Sequence, residues 1–210
     1  MRLHRRLLLA GLLLVACARK RTSEPEPLLP SLRVVLASET TFGQLGAGAD
    51  VVRRSWVGPI IQVLAEETPD GVVPLPPKRI AGSKLSADAL FERGLANLRA
   101  AAPQPILGDR TVKMAKANVQ ITRFADNHTA ARLLLPELWS KLAADAGGSL
   151  FAAAPARDII VWTTSTDEND QRALRGQART AFQSRSYPIS PAILRWTGSG
   201  WSVEDVNPVP

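Results

Sequence analysis

Cysteine and histidine do much of the nucleophilic and acid–base chemistry near neutral pH, and both are scarce here. The 210-residue chain has one cysteine, Cys17, and two histidines, His4 and His128. His128 stands in Asp126-Asn127-His128-Thr129. A serine hydrolase would need it as base beside a hydroxyl nucleophile, and no Gly-x-Ser-x-Gly elbow supplies one. A zinc site built on one histidine and no spare cysteine would lean on carboxylates, an uncommon donor set. At a predicted helix start, His128 reads instead as a solvated or helix-capping residue.

Carboxylates are the second chemical resource. Acid–base work needs two of them at a defined separation in a cleft, and the candidates are Asp126, Glu137, Asp158 and Asp167. Glu66, Glu67 and Asp70 also cluster, but at a turn, where a solvated acidic tip is expected. For binding, Arg157-Asp158 is the best polar candidate. It follows Pro155-Ala156 between two apolar runs, where a charged pair can point at a ligand. The plainer alternative is a turn-stabilising ion pair, worth about 0–1 kcal/mol at a surface. Trp162, Trp196 and Trp201 fall in predicted strands and either form an aromatic platform or pack in the core, the commoner fate of sheet tryptophans. Trp139 reads as core. Asn97 is a poor helix former inside a helical stretch, which favours an architectural bond to loop backbone. Candidate binding residues are therefore Arg157, Asp158, Trp162 and Trp196; no metal site or cofactor is expected.

The elements that would carry these residues follow from hydrophobic period and turn signals. Leu32–Leu36 reads as a strand. The glycine-spaced stretch Thr41–Asp50 reads as a flexible turn before another strand at Val51-Val52, because a phosphate cradle would need a helix start there. Ile60–Leu64 and Val72-Val73 flank Pro69-Asp70-Gly71 and predict a β-hairpin. Ser86 caps a helix with Asp88 at its positive end and Leu85 stapled over the cap. Phe91, Leu95 and Leu98 form its apolar stripe with Leu90 at the edge, and Pro103 stops it near Ala102. Thr111–Ala115 and Val119–Phe124 read as strands. A helical stretch then starts at Asn127 or Thr129. Pro136 allows one helix to end near Leu135 and another to begin, and Gly147-Gly148 closes the stretch. Leu150–Ala154 and Asp158–Thr163 pair as strands. Asp167 caps a third helix reaching about Ser184, with Leu174, Ala178, Ala181 and Phe182 on one face. Ala192–Trp196 and Trp201–Val203 close the chain as a hairpin. Helices interrupting strand pairs argue an α+β fold, a mixed or antiparallel sheet of hairpins with about three amphipathic helices.

Cys17 belongs to a different kind of signal. Arg2, Arg5 and Arg6 precede the apolar run Leu7–Val15. That run falls short of the roughly 20 apolar residues that span a bilayer, but suits the apolar region of a signal peptide. It ends Leu14-Val15-Ala16-Cys17, which resembles the lipobox of bacterial lipoproteins, where the cysteine is acylated and becomes the first mature residue. Two or more acyl chains hold a protein stably on a membrane without spanning it. Ala16-Cys17-Ala18 also reads as an ordinary small-x-small cleavage site, which would release a soluble protein. Residues 18–31 read as a proline- and charge-rich tether, extended at about 3 Å per residue. Ala18 is not the aspartate that usually retains lipoproteins at an inner membrane, so the periplasmic face of the outer membrane is expected where the host has one. The expected organisation is a signal over 1–16, lipidated Cys17 and tether over 17–31, one domain over 32–205 and a tail over 206–210.

Charge and cysteine count exclude other classes. The chain carries +7 overall. Three of its 26 Lys and Arg lie in residues 1–16, leaving 23 against 19 acidic residues, a net of +4. These are scattered, without the dense patch of a nucleic-acid binder, so no nucleic-acid partner is expected. One cysteine allows no intramolecular disulfide.

From about Ile60 to Trp201 the chain resembles the YtpQ-like family of bacterial proteins. The matching pieces occur in order: the strand-turn-strand Ile60–Val73, Gly94-Leu95-Ala96-Asn97-Leu98, Leu133-Leu134-Leu135-Pro136-Glu137-Leu138-Trp139, Ala154-Pro155-Ala156-Arg157-Asp158, and Tyr187-Pro188-Ile189-Ser190-Pro191 before Arg195-Trp196 and Gly200-Trp201. The resemblance implies no established reaction and no catalytic residues. The export signal is a departure from the family's plain form. The expected function is thus a non-enzymatic, lipid-anchored envelope module that binds an envelope protein or small ligand. The alternative is an envelope hydrolase using Asp126 and Asp158, with or without His128.

Overall fold

The computed structural model describes residues 28–40, 50–101, 111–124 and 126–208. The signal, Cys17, most of the tether and the glycine-spaced stretch 41–49 lie outside them. The end of the expected tether, Leu28–Ser31, is a helical turn and not extended chain.

The fold is α+β, with two antiparallel sheets. In the first, β1 (Leu32–Ser38) and β2 (Arg53–Val57) flank β3 (Ile60–Thr68), and β4 (Gly71–Pro74) also pairs with β3. β3 has nine residues, enough for β2 to take its first half and β4 its second. The predicted hairpin is present, with Thr68 opposite Gly71. Gly71 sits at φ 135°, a backbone region open to glycine and strained for other residues. The strand expected at Val51-Val52 begins two residues later. Val52 still joins the sheet, donating to the Leu75 carbonyl and accepting from the Leu64 N–H, both at 2.9 Å.

The second sheet runs β10-β9-β7-β8-β6-β5. Its strands are β5 (Thr111–Lys113), β6 (Gln120–Thr122), β7 (Phe151–Ala156), β8 (Ile159–Thr163), β9 (Ile193–Trp196) and β10 (Trp201–Asp205). β5 and β6 are shorter than their sequence suggests. At the end of β6 the Phe124 N–H donates to Thr129 Oγ1 at 3.0 Å and the chain turns away. Every residue of β7 and β8 is buried, because both faces of these central strands are covered. That explains their uninterrupted apolar composition.

Helix α1 (Ala87–Ala101) starts where predicted, with the Ala89 N–H donating to Ser86 Oγ at 3.2 Å. Its buried residues are Leu90, Phe91, Gly94 and Leu98, so Leu90 is central to the stripe and Leu95 is peripheral. The cause is Gly94. A Cβ there would stand 2.9 Å from Val34 Cγ2, so the bare glycine lets α1 lie directly on β1. Asn97 Nδ2 then donates to the Leu32 carbonyl at 3.0 Å, the architectural bond expected of it. Leu85 is exposed and is no staple.

Pro136 divides a 3₁₀ segment, Ala130–Leu134, from helix α2 (Pro136–Asp145). Helix α3 (Glu168–Ser184) is capped by Asp167, which accepts from Asn169 and Asp170 N–H groups. Leu174, Ala178 and Ala181 of α3 pack on Phe151, Ala153, Ile159 and Val161, one face of the second sheet. The opposite face joins a larger core that also holds Leu32, Leu64, Phe91 and Trp139, so one apolar cluster spans both sheets. One residue of the expected tail is fixed to the domain. Asn207 is buried, donating to the Arg175 and Pro191 carbonyls.

Candidate functional site

The β7–β8 turn holds Arg157 and Asp158, and two other segments converge on it. The stretch after α3 runs antiparallel beside the end of β7, with Ala156 bridged to Pro188 and the Ile189 N–H donating to the Pro155 carbonyl at 2.9 Å. The Arg157 N–H donates to the Tyr187 carbonyl at 3.2 Å, and the Arg157 carbonyl accepts from Ala130 N–H at 3.0 Å. The third segment is thus the Asp126–Ala130 loop, which brings Asn127 to the site. Together they border an open cavity of about 550 Å³ lined by Asn127, Arg157, Asp158, Ser184, Arg185, Ser186 and Tyr187.

Tyr187 is the unusual member. It holds φ 56° and is 62% exposed. Left-handed backbone costs a bulky L-residue roughly 1–2 kcal/mol, and such strain persists where the surroundings enforce it, often at functional sites. The ring carries the Arg157 guanidinium 3.9 Å from its centroid. Arg157 Nη2 reaches Asn127 Oδ1 only at 3.5 Å, and no carboxylate among the described residues pairs with Arg157. Asp158 is turned to Arg185, at 3.0 Å from Oδ2, while its Oδ1 is shielded from solvent without a hydrogen-bond partner among the described residues.

Trp162 and Trp196 do not join this cavity. They are 7% and 4% exposed and belong to the shared core, so no aromatic platform forms from them. Trp162 Nε1 donates to Thr122 Oγ1 at 3.0 Å. Trp196 packs edge-on against Trp201 at 5.1 Å, and Trp201 against Trp139 at 5.5 Å. Trp139 and Trp201 donate their indole N–H groups to the Arg132 and Leu133 carbonyls. The tryptophans therefore fasten the 3₁₀ segment to the core.

That segment carries a charged cluster the sequence reading did not identify. Arg132 is 1% exposed. It forks onto Asp126, with contacts of 2.9 and 2.6 Å, and stacks 3.9 Å from the Phe124 centroid. Burial pushes the Asp126 carboxyl up, but the Arg132 hydrogen bond, the His128 N–H and the Arg132 charge outweigh it and hold the carboxyl below its usual value. The available signal was an arginine interrupting the apolar run Ala130–Leu135, since a charge buried there needs a partner.

His128 is likewise buried, at 3% exposed, rather than solvated. Its Nε2 lies 3.2 Å from Glu67 Oε1, and Glu67 Oε2 takes Arg33 at 2.6 Å. Glu66 faces Arg79 at 3.3 Å. Glu66 and Glu67 are therefore tied into ion pairs, while Asp70 at the turn is exposed. Each of the four hydrolase carboxylates has a partner of its own. Asp126 serves Arg132, Asp158 serves Arg185, Glu137 serves Arg99 and Asp167 caps α3. Among the described residues no cluster of three or more His, Cys, Asp or Glu side chains is placed to hold a metal ion. No helix among them is long and apolar enough to cross a membrane.

Comparison with known proteins adds no relative to this picture: no family model, no curated protein and no solved structure matches the chain.

Proposed function

We propose that this protein is a lipid-anchored bacterial envelope module, related to the YtpQ-like proteins, that binds a ligand without transforming it. Its ligand site is the cavity at the β7–β8 turn. The observation that carries the site is the Arg157–Tyr187 stack: a cation without a counter-charge among the described residues, held over an exposed ring whose backbone is strained into place. A guanidinium fixed in this way loses little freedom on binding. The four separate carboxylate pairings favour binding over carboxylate hydrolysis. The anchor rests on Leu14-Val15-Ala16-Cys17 after the apolar run, and Ala18 favours the periplasmic face of an outer membrane where one exists.

Two measurements test this reading. The intact mass of the protein from its native host should correspond to a chain starting at Cys17 with two or three acyl chains. A lipid-free chain starting at Arg19 would remove the anchor. In pull-down from native envelope extract, Arg157→Ala/Asp158→Ala should capture less ligand than the natural chain while melting within a few degrees of it. Equal capture by both would remove the site.

A further inference from the structure

Resting on the cavity as the ligand site, we infer that the group recognised there is a carboxylate, seated on the free edge of Arg157 and flanked by neutral hydroxyl or amide groups. The charge at the site points to a single negative group. Asp158 neutralises Arg185 at 3.0 Å, which leaves Arg157 as the one unbalanced charge among the lining residues. A phosphate monoester carries nearly two negative charges near neutral pH, more than the single charge of Arg157 balances.

Shape points the same way. The Arg157 guanidinium carbon lies over the Tyr187 ring, and the N–H donors project in the plane of the guanidinium. A planar fork matches the two oxygens of a carboxylate. Among the described residues the one side-chain partner of that fork, Asn127 Oδ1, lies at 3.5 Å, the outer limit of a hydrogen bond, so an incoming oxygen displaces little. Around it stand the neutral groups of Asn127, Ser186 and Tyr187, suited to hydroxyl and amide partners. Two sources share this chemistry: the free C-terminus of a short peptide and the acid group of an oxidised sugar.

The test is a titration of the ¹⁵N-labelled full-length protein in detergent, following the Arg157 Nε–H resonance in the natural chain and the backbone N–H resonances of Asn127 and Tyr187 in every variant. The probes are N-acetyl-alanyl-alanine and its C-terminal amide, glucuronate and glucose, and inorganic phosphate. At least one acid should bind at least about tenfold more tightly than its neutral counterpart, and Arg157→Gln should weaken that acid by about tenfold to a hundredfold, the loss of a charge-assisted hydrogen bond. Arg157→Lys, which keeps the charge and loses the fork, should recover only part of the affinity. Which acid binds identifies the source. Equal binding of acid and neutral forms overturns the inference. So does phosphate binding without either acid, or no acid binding up to about 10 mM, well beyond the millimolar range of weak ligands. If the acids fail while native envelope extract still shifts the Arg157 resonance, the carboxylate assignment falls and the cavity stands. If extract also leaves it unmoved, both fall.

Discussion

The Arg157 guanidinium lies 3.9 Å from the centroid of the Tyr187 ring, and Tyr187 holds φ 56° to keep it there. The backbone supports the same contact, since the Arg157 N–H donates to the Tyr187 carbonyl. Strain and stacking thus act on one pair of residues at the mouth of one cavity.

That pairing separates two substitutions at one position. Tyr187→Ala removes the ring and keeps the left-handed strain, whereas Tyr187→Gly removes both. Urea denaturation should show Tyr187→Gly more stable than Tyr187→Ala by about 1 kcal/mol. Equal stabilities would mean that the backbone relaxes and stores no strain at this residue.

Gly94 gives a packing prediction. An alanine there gains up to about 1 kcal/mol in helix propensity, but its Cβ would meet Val34 Cγ2 at 2.9 Å and the Arg33 backbone at 3.2 Å. Overpacking of this kind costs about 1–3 kcal/mol. Gly94→Ala should therefore lower stability by about 1 kcal/mol, within a net range of roughly 0–2, read from the urea midpoint. A raised midpoint would show that α1 lifts off β1 freely.

The buried Arg132 depends on Asp126. Asp126→Asn should cost about 2–3 kcal/mol at neutral pH, below the roughly 3–5 kcal/mol of a fully buried broken pair, because Asp126 itself is 36% exposed. The pH dependence has a fixed sign. The Asp126 carboxyl is held below its ordinary 3.8 in the fold, so its contribution is complete above that value and fades as pH falls through the folded one. The gap between the natural chain and Asp126→Asn should narrow in urea titrations below pH 3.8. A gap that widens there would reverse the assigned sign.

Asp167 caps α3 through the N–H groups of Asn169 and Asp170. Asp167→Ala should lose about 1 kcal/mol, seen as a lower melting temperature, with binding at the β7–β8 turn unchanged. A loss of binding would show that the seating of α3 controls the Arg185 side of the cavity.

Much of this architecture is written in local pattern. The Ser86 and Asp167 caps, the Pro69-Asp70-Gly71 turn, the break at Pro136 and the closing hairpin are short-range signals, and each is found where its residues stand. Arg157 and Asp158 are also legible, because charges after a proline between two apolar runs have few places to go. Tyr187 as their partner is not. The contact joins residues thirty apart in sequence, and left-handed backbone at a tyrosine leaves no trace in composition. The burial of His128 and Arg132 was hidden for the same reason. It depends on Glu67, from the first sheet, and on a 3₁₀ segment pinned by distant tryptophans. Trp162 and Trp196 show the converse, since their strands were readable while the covering of their face was a tertiary fact.

The central claim is that Arg157 is a ligand contact. It is tested most directly by the Arg157 Nε–H resonance of the full-length protein as native envelope extract is added. A saturable shift is expected, centred on Arg157, Tyr187 and Asn127 and lost in a Tyr187→Ala background. A resonance that stays fixed while extract components bind elsewhere would contradict it.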